Sequence, residues 1–298
     1  FFLLHLAPGD PFSFENPSIP ESVRNQLRAA YGFDRPVPEQ YLLYLKNVAS
    51  GNLGFSHFRR EPVAAALSAT VPRTLLLMGL ALVVSFALGI RLGIYEALHR
   101  HRGRARATNA ASLLVYSIPD FWLALMLLLA FAYWIPILPA GGMIDPVLHD
   151  YMSVGRRLWD RVQHIALPLT TLVLLMTAFV ARFQRAALLD VLPAEFVRSA
   201  RAKGLDERAV IGRHALRNAL LPMITLAGLV FPALLGGAVF VERVFAWPGM
   251  GSLVINAIQV RDYPLVMAVV QVGAIMVVVG NLIADVMYAW ADPRVRAR

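Results

Sequence analysis

This sequence of 298 residues predicts an all-α, polytopic transmembrane helical bundle, and three observations carry that prediction. First, 58% of the residues are hydrophobic, 16% are charged and the mean hydropathy is +0.58, far more apolar than a soluble domain of this length. Second, uncharged apolar runs recur at 74–90, 121–138 (with 110–119 in front of Asp120), 165–181, 219–241 and 264–284, each long enough to span a bilayer. Third, basic residues gather on alternate connecting segments. With the opening helix running outward, the inside segments (96–108, 182–222 and 291–298) carry fifteen basic residues against six acidic ones. The outside segments (8–70, 140–164 and 242–263) carry eleven of each. The asymmetry follows the positive-inside rule, so the net charge of +9 reports topology and calls for no nucleic acid.

The opening FFLLHLAPGDP reads as the last turns of a hydrophobic helix. This gives six helices in the full chain with the first truncated, and no basic n-region or cleavage site marks a signal peptide. The expected layout is the end of that helix at 1–7, an extracytoplasmic segment at 8–70, five helices within 71–290 including a cytoplasmic loop at 190–222, and a cytoplasmic tail at 291–298. Cysteine is absent, which excludes disulfides and thiolate metal sites. The two lysines, Lys46 and Lys203, lie outside any GxxxxGK[ST], so the chain has no P-loop.

In the first outside segment Ser18, Ile19, Pro20 and Glu21 form a capping box for a helix to Gly32, with Val23, Leu27 and Tyr31 on one side. A second amphipathic helix is expected at 38–48, then a turn at 50–54, and 62–67 leads into the next membrane helix. Such a segment serves either as a cover or as a platform for an extracytoplasmic partner. The inside turn HRHRGRAR, residues 99–106, sets orientation.

The following span is read as one helix containing YSIPDFW, residues 116–122, with Pro119 and Asp120 deep in an apolar run. A carboxylate in hydrocarbon is expensive unless it faces protein or water, so Asp120 is expected at the bundle interior or its entrance. Its role there is a structural hydrogen bond or a place on a translocation path. The last outside loop, ERVFAWPGMGSLVINAIQVRDYP, turns sharply at 248–251. Its apolar and aromatic content suits a segment dipping toward a pore mouth, which makes Glu242, Trp247, Pro248 and Gly249 candidates for the path or its gate. In the final helix Asn281, Asp285, Tyr288 and Asp292 fall within roughly 60° of one face, since each residue turns about 100°. Helix–helix hydrogen bonding is favoured over a substrate contact for this polar stripe.

Residues 190–222, DVLPAEFVRSARAKGLDERAVIGRHALRNALLP, hold the densest local signals. Pro193 suits the first turn of a helix, Glu195 complements its dipole, and Arg198, Arg201 and Lys203 load its last turn. Gly204 supplies the left-handed residue that ends it. Asp206 is a good N-cap for a second helix bearing Val210, Ile211, Ala215, Leu216 and Leu220 and running to Pro222. Two short helices are marginal in water, so an exposed pair of this kind docks on something or remains a solvated connector.

These residues resemble a known family. VRSARAKGLDERAVIGRHALRNALLP is similar to the EAA loop of bacterial ABC importer permeases, in particular those of the peptide, opine and nickel uptake group. HLAPGDP, GFDRPVPEQYLLYL, SGNLGFS, VPRTLLL, HIALPL, VERVFAWPGMG and NLIADVMYAWADPR resemble further stretches of the same permeases in the same order, so the likeness spans essentially the whole chain. One departure stands out. The position that the general motif gives to glutamate is Arg198, its first alanine is Ser199, and only Ala200 stands, a pattern similar to the peptide-type subgroup.

The resemblance implies a type I ABC importer permease in the bacterial inner membrane, without catalytic or metal-ligating residues. Arg198, Ser199, Ala200, Ala202, Lys203, Gly204, Leu205 and Asp206 would form the coupling helix, seated on an ATP-binding cassette subunit. Two such subunits carrying ATP and Mg, a second homologous permease and an extracytoplasmic substrate-binding protein would be the partners, besides membrane lipids. This chain itself would carry no cofactor. Di- or oligopeptides are the expected cargo, and nickel, glutathione and opines share the scaffold.

Two other classes compete. An intramembrane protease would use Asp120 with Asp285, or Ser56 with His57. A carboxylate pair sharing a proton needs about 3 Å of separation, and neither aspartate sits in a YD or GxGD setting, nor Ser56 in GxSxG. An ion-driven secondary transporter would need mid-membrane ionisable groups in repeated halves. No internal repeat is visible, and Arg91 near the inner end of its helix can snorkel.

Overall fold

The apolar runs become helices in a computed structural model that describes residues 1–6, 22, 26, 32, 34–56, 58–230 and 239–291, apart from the side chains of 3, 5, 284 and 287–291. After α1 (Phe2–Leu6) comes α2 (Val37–Ala49), whose first turn is set by Pro36 and Pro38. The capping-box helix expected at 18–32 lies outside the described residues except for 22, 26 and 32. Gly51 and Gly54, both at positive φ, turn the chain into an antiparallel pair, β1 (Phe55–Ser56) and β2 (Glu61–Pro62), with Phe55 opposite Pro62. Ser56 is fully buried, and its hydroxyl donates to the carboxylate of Asp262 beside the last helix. That bond ties the 55–62 hairpin to the start of the last helix, and full burial keeps the Ser56 hydroxyl out of reach of a substrate. Its proposed partner His57 lies outside the described residues.

Two very long helices frame the bundle. Helix α3 (Val63–Leu98) has 36 residues and α6 (Val154–Val191) has 38. At 1.5 Å per residue they run about 54 and 57 Å, nearly twice the hydrocarbon thickness, so both project beyond the apolar runs read from the sequence. Between them lie α4 (Gly103–Ser117), α5 (Asp120–Leu128), a π-helical turn (Leu129–Trp134) and a 3-10 turn (His149–Tyr151).

The single helix expected through YSIPDFW is a correction: the chain bends by 102° between α4 and α5. Proline disfavours the helical region for the residue before it, and Ile118 is extended, with φ −80° and ψ 130°. Pro119 is also non-helical, and Asp120 Oδ1 accepts the Phe121 N–H at 2.8 Å. Asp120 therefore opens a new helix. At the far end, the helical structure expected to 138 stops at Trp134.

The segment before α6 is folded by carboxylates. Asp145 Oδ1 accepts the N–H groups of Val147 and Leu148, which hold its carboxyl below the usual range. The N–H of Asp145 donates to Asp160, whose buried carboxylate also lies 2.6 Å from His149 Nδ1 and 3.1 Å from His164 Nδ1.

Beyond α6 come α7 (Glu195–Ala202) and α8 (Glu207–Ala209), a π-helical stretch (Val210–Ala215), α9 (Leu216–Ala219) and α10 (Leu221–Val230). The chain ends in α11 (Val239–Val244), α12 (Met250–Gln259) and α13 (Tyr263–Ala291). Among the described residues three helices, α3, α6 and α13, are long and apolar enough to cross a membrane, and the bent α4–α5 pair makes up to four spans. The run 219–241 is helical where described except for the turn at Leu220, and 231–238 lie outside the described residues.

Helices α3 and α6 form the most extensive helix pair. A Cβ on Gly89 would stand 2.7 Å from Val180 Cβ, and one on Gly93 would stand 2.5 Å from the Ala181 carbonyl oxygen. Small residues four apart thus let the two backbones meet. Near the C-terminal end of α3, Ser112 of α4 donates to the buried Glu96 of α3 at 3.3 Å.

Candidate functional site

Two sites emerge, at opposite ends of the α3–α6 pair, labelled inner and outer after the sidedness expected from the charge distribution. At the inner end, Ala194 caps α7 and Glu195 stands in its first turn. Val197 and Ala200, three residues apart, share a face and bury against Ala97 of α3, Leu188 of α6, and Val210 and Ala215. The opposite face is open: Phe196 and Leu205 are 45% and 44% exposed, and Arg198, Ser199, Ala202, Lys203, Gly204 and Asp206 are exposed with them.

Gly204 has φ +78° with no atom within 4 Å of a built Cβ, so backbone conformation alone selects glycine there. Asp206 Oδ2 accepts the Arg208 N–H at 3.1 Å as the expected N-cap. Across the glycine, Arg201 grips Glu207 with Nε to Oε2 at 3.1 Å and Nη2 to Oε1 at 2.8 Å. The guanidinium holds the Glu207 carboxyl below its ordinary range.

Sequence reasoning grouped Ala200 with the exposed docking residues, whereas the fold turns it inward. Phe196 was overlooked, although an aromatic residue on a short, otherwise charged helix is a visible signal. The π-helical stretch after α8 had no signal.

At the outer end a sharp hairpin joins α11 to α12 around Glu242, which is fully buried. Thr74 of α3 donates its hydroxyl to Glu242 Oε1 at 3.0 Å and accepts the Met250 N–H at 2.8 Å. The Ser252 N–H donates to Glu242 Oε2 at 3.0 Å, and the Glu242 carbonyl accepts the Trp247 N–H at 2.8 Å. Trp247 Nε1 donates to the Arg73 carbonyl at 3.3 Å, and the Ser252 hydroxyl donates to the Trp247 carbonyl at 3.1 Å.

Gly249 is dictated by this arrangement: a Cβ there would stand 2.3 Å from Glu242 Oε1 and 2.6 Å from the Thr74 hydroxyl. Phe245 and Trp247 pack on Leu77 and Ala81 of α3, Ala124 of α5 and Leu167 of α6. Met250, Leu253 and Ala257 pack on Val63, Ala66 and Leu67 of α3 and on Leu265 and Val269 of α13. The hairpin is thus a plug wedged among four helices. Glu242 and Trp247 hold it together without reaching an aqueous surface, Gly249 is buried beneath, and Pro248 is half-buried.

The remaining candidates stand apart. Asp120 is the first residue of α5 at the bend, and Asn281 and Asp285 are exposed on α13. The side chain of Tyr288 and all of Asp292 lie outside the described residues. Among the described residues no group of three His, Asp or Glu side chains is arranged to hold a metal ion.

Comparison with known proteins now bears on the whole chain. Residues 89–297 match the family described as "Binding-protein-dependent transport system inner membrane component". The chain is 37% identical to the oligopeptide transport system permease protein AppB of Bacillus subtilis (strain 168), over 99% of this chain and 92% of that protein. It is 36% identical to the di/tripeptide transport system permease protein DppB of Pseudomonas aeruginosa (strain UCBPP-PA14), with the same coverage. It is 35% identical to the glutathione transport system permease protein GsiC of Escherichia coli (strain K12), again with the same coverage. Among solved structures, the MetNI methionine ABC transporter in inward-facing conformations matches with a TM-score of 0.60 at 17% identity, over 77% of this chain and 97% of that one, a likeness of fold. A helical bundle with this fold and relatives of this kind belongs to the binding-protein-dependent inner-membrane permeases, and within them to the peptide-type ABC importer permeases of the bacterial inner membrane.

Proposed function

We propose that this chain is the membrane-spanning half of an ATP-driven importer of di- or oligopeptides. The open face of α7 seats in a groove of an ATP-binding cassette subunit. Two such subunits, which hold the ATP and Mg, together with a second homologous permease and an extracytoplasmic substrate-binding protein, complete the assembly. This chain holds no cofactor of its own.

The observation that carries the proposal is the division of α7 into two faces. Val197 and Ala200 anchor the helix to the inner ends of α3 and α6, while Phe196, Arg198, Ser199, Lys203 and Leu205 remain open. Eight helical residues are too few to be stable unaided, so the buried face fixes the helix for whatever binds the open one. A push on α7 is delivered to α3 and α6, which close approach at Gly89 and Gly93 couples tightly. Their outer parts, through Thr74, Leu77 and Leu167, carry the plug around Glu242 and Trp247. The plug, with Pro248 and Gly249 at its tip, is the outer gate, and movement between two states of this frame gives alternating access. Asp120, at the α4–α5 bend, is assigned to the translocation path. Asn281 and Asp285, with Tyr288 and Asp292 continuing their stripe, are assigned to hydrogen bonds with the second permease.

The named relatives support a substrate with an amide-linked backbone, since oligopeptides, di- and tripeptides and glutathione share one. The test is uptake into proteoliposomes containing this permease, its partner permease, the ATP-binding subunits and the binding protein. ATP-dependent uptake of a short peptide or of glutathione is expected. Uptake of nickel with no uptake of either would overturn the substrate class, and uptake driven by an ion gradient without ATP would overturn the mechanism.

A further inference from the structure

Beside the buried face of α7, the inner ends of α3 and α6 meet the middle of α4 in a layer of polar side chains. Glu96 of α3 and Gln184 of α6 are buried, and Arg185 is half-buried beside them. A Cβ on Gly93 would stand 2.8 Å from Gln184 Cβ and 3.0 Å from the Arg185 backbone nitrogen, and Glu96 follows on the same face of α3 one turn later. The Ser112 hydroxyl of α4 donates to Glu96 Oε1 at 3.3 Å, and Ser112 is itself buried.

The layer is expensive. Among the described residues, Glu96 Oε2, both amide atoms of Gln184 and Arg185 Nε have no hydrogen-bond partner in the chain. A buried carboxylate with one oxygen unpaired is less stable than an apolar contact of the same shape, so stability alone does not select glutamate here. Its position gives the reason. Ala97, the next residue, packs in one cluster with Val197 and Ala200 of α7, and so does Leu188, one turn beyond Gln184. On the other side of Glu96, Ser112 belongs to the helix that ends at the 102° bend. Beyond the bend, α5 reaches the plug: Ala124 packs with Phe245 and Trp247, and the Phe121 ring lies 6.2 Å from that of Phe240.

We propose that Glu96 is a positioning residue for transport, acting through Ser112. It holds α4 in register with α3, so that a displacement of α7 reaches α4, turns it about the bend at 118–119 and moves α5 against the plug. The inference rests on the reading of α7 as the seat of an ATP-binding subunit. A buried polar contact fixes register between helices where an apolar one does not. The atoms it leaves unpaired are open to new partners when α4 shifts against the α3–α6 pair.

The experiment uses the complete transporter in proteoliposomes and reads the ATP hydrolysed per peptide imported, alongside the thermal unfolding midpoint. It compares the wild type, Glu96→Ala, Glu96→Gln, Ser112→Ala and the Glu96→Ala/Ser112→Ala double variant. Glu96→Ala is expected to raise the ratio about fivefold while binding-protein-stimulated ATP hydrolysis persists. Ser112→Ala is expected to raise it by a similar factor, and the double variant to add nothing further. Glu96→Gln keeps an acceptor oxygen for Ser112 and is expected to restore most of the coupling. Uptake and ATP hydrolysis that fall together with the unfolding midpoint, at an unchanged ratio, would make Glu96 a purely structural residue and overturn the proposal. Effects that multiply in the double variant would overturn the route through Ser112. Should Glu96→Ala fail to assemble, Ser112→Ala, which removes a single hydroxyl, decides alone, and an unchanged ratio there overturns the proposal. Peptide uptake by the wild type without ATP would instead remove the importer reading. ATP-driven uptake by the wild type with the same ratio in every variant would sink the role of Glu96 and leave the reading of α7 standing.

Discussion

At the inner end of the α3–α6 pair, α7 leaves Phe196 and Leu205 nearly half exposed, and its terminal glycine stands in open space. At the outer end Glu242 and Trp247 are 0% and 1% exposed, and Gly249 has no room for even a methyl group. Both regions are turns built on a glycine, yet one glycine answers to its own backbone angle and the other to a buried carboxylate. Substitutions should therefore act on binding at the inner loop and on folding at the outer plug.

The largest effect is expected from Gly249→Ala. The added methyl must displace the Glu242 carboxylate, combining overpacking with loss of its bonds, at a cost of about 3 kcal/mol or more. Thermal unfolding of the purified complex would show it as a lowered midpoint, and an unchanged midpoint would mean that the plug is looser than described. Thr74→Val comes next. It keeps the shape but leaves one Glu242 oxygen and the Met250 N–H unpaired, for about 2 kcal/mol by the same assay.

At the inner loop Gly204→Ala should cost only about 1 kcal/mol, the penalty for a side chain in the left-handed region, while lowering binding-protein-stimulated ATP hydrolysis more than stability. A larger loss of stability than in Gly249→Ala would reverse the contrast between the two regions.

The smallest effect belongs to Glu207→Gln, at most about 0.5 kcal/mol for an exposed ion pair. The Glu207 carboxyl is depressed by Arg201, so its contribution is full above the ordinary carboxylate range and is lost as pH falls from there through the depressed value. A melting profile from neutral to acidic pH should lose that component in the variant, and identical profiles would show the clamp to be inert.

How far each region could be read from sequence follows the same divide. The end of α7, the left-handed Gly204 and the Asp206 cap are decided by residues within a few positions of one another, and pattern alone located them. The plug depends on Thr74 meeting Glu242 across 168 positions, and on Ser56 meeting Asp262 across 206. No local pattern carries such pairings, so Thr74 and Ser252 give no signal in the sequence, and Glu242 reads there only as a candidate for the path or its gate. Hydrophobic runs mark the centres of α3 and α6 but not their ends, because those ends carry polar and charged residues. The bend at Ile118 and Pro119 was signalled by the proline, but a proline in an apolar run is read as a kink unless the residue before it is known to be extended.

The central claim is that the open face of α7 is covered by an ATP-binding subunit, and thiol protection tests it most directly. A single cysteine at Ser199, on the exposed face, is labelled from the cytoplasmic side with and without the purified ATP-binding subunit. Strong protection by the subunit is predicted, with no protection of a cysteine at Arg106. Equal labelling of Ser199→Cys in both conditions would contradict the account.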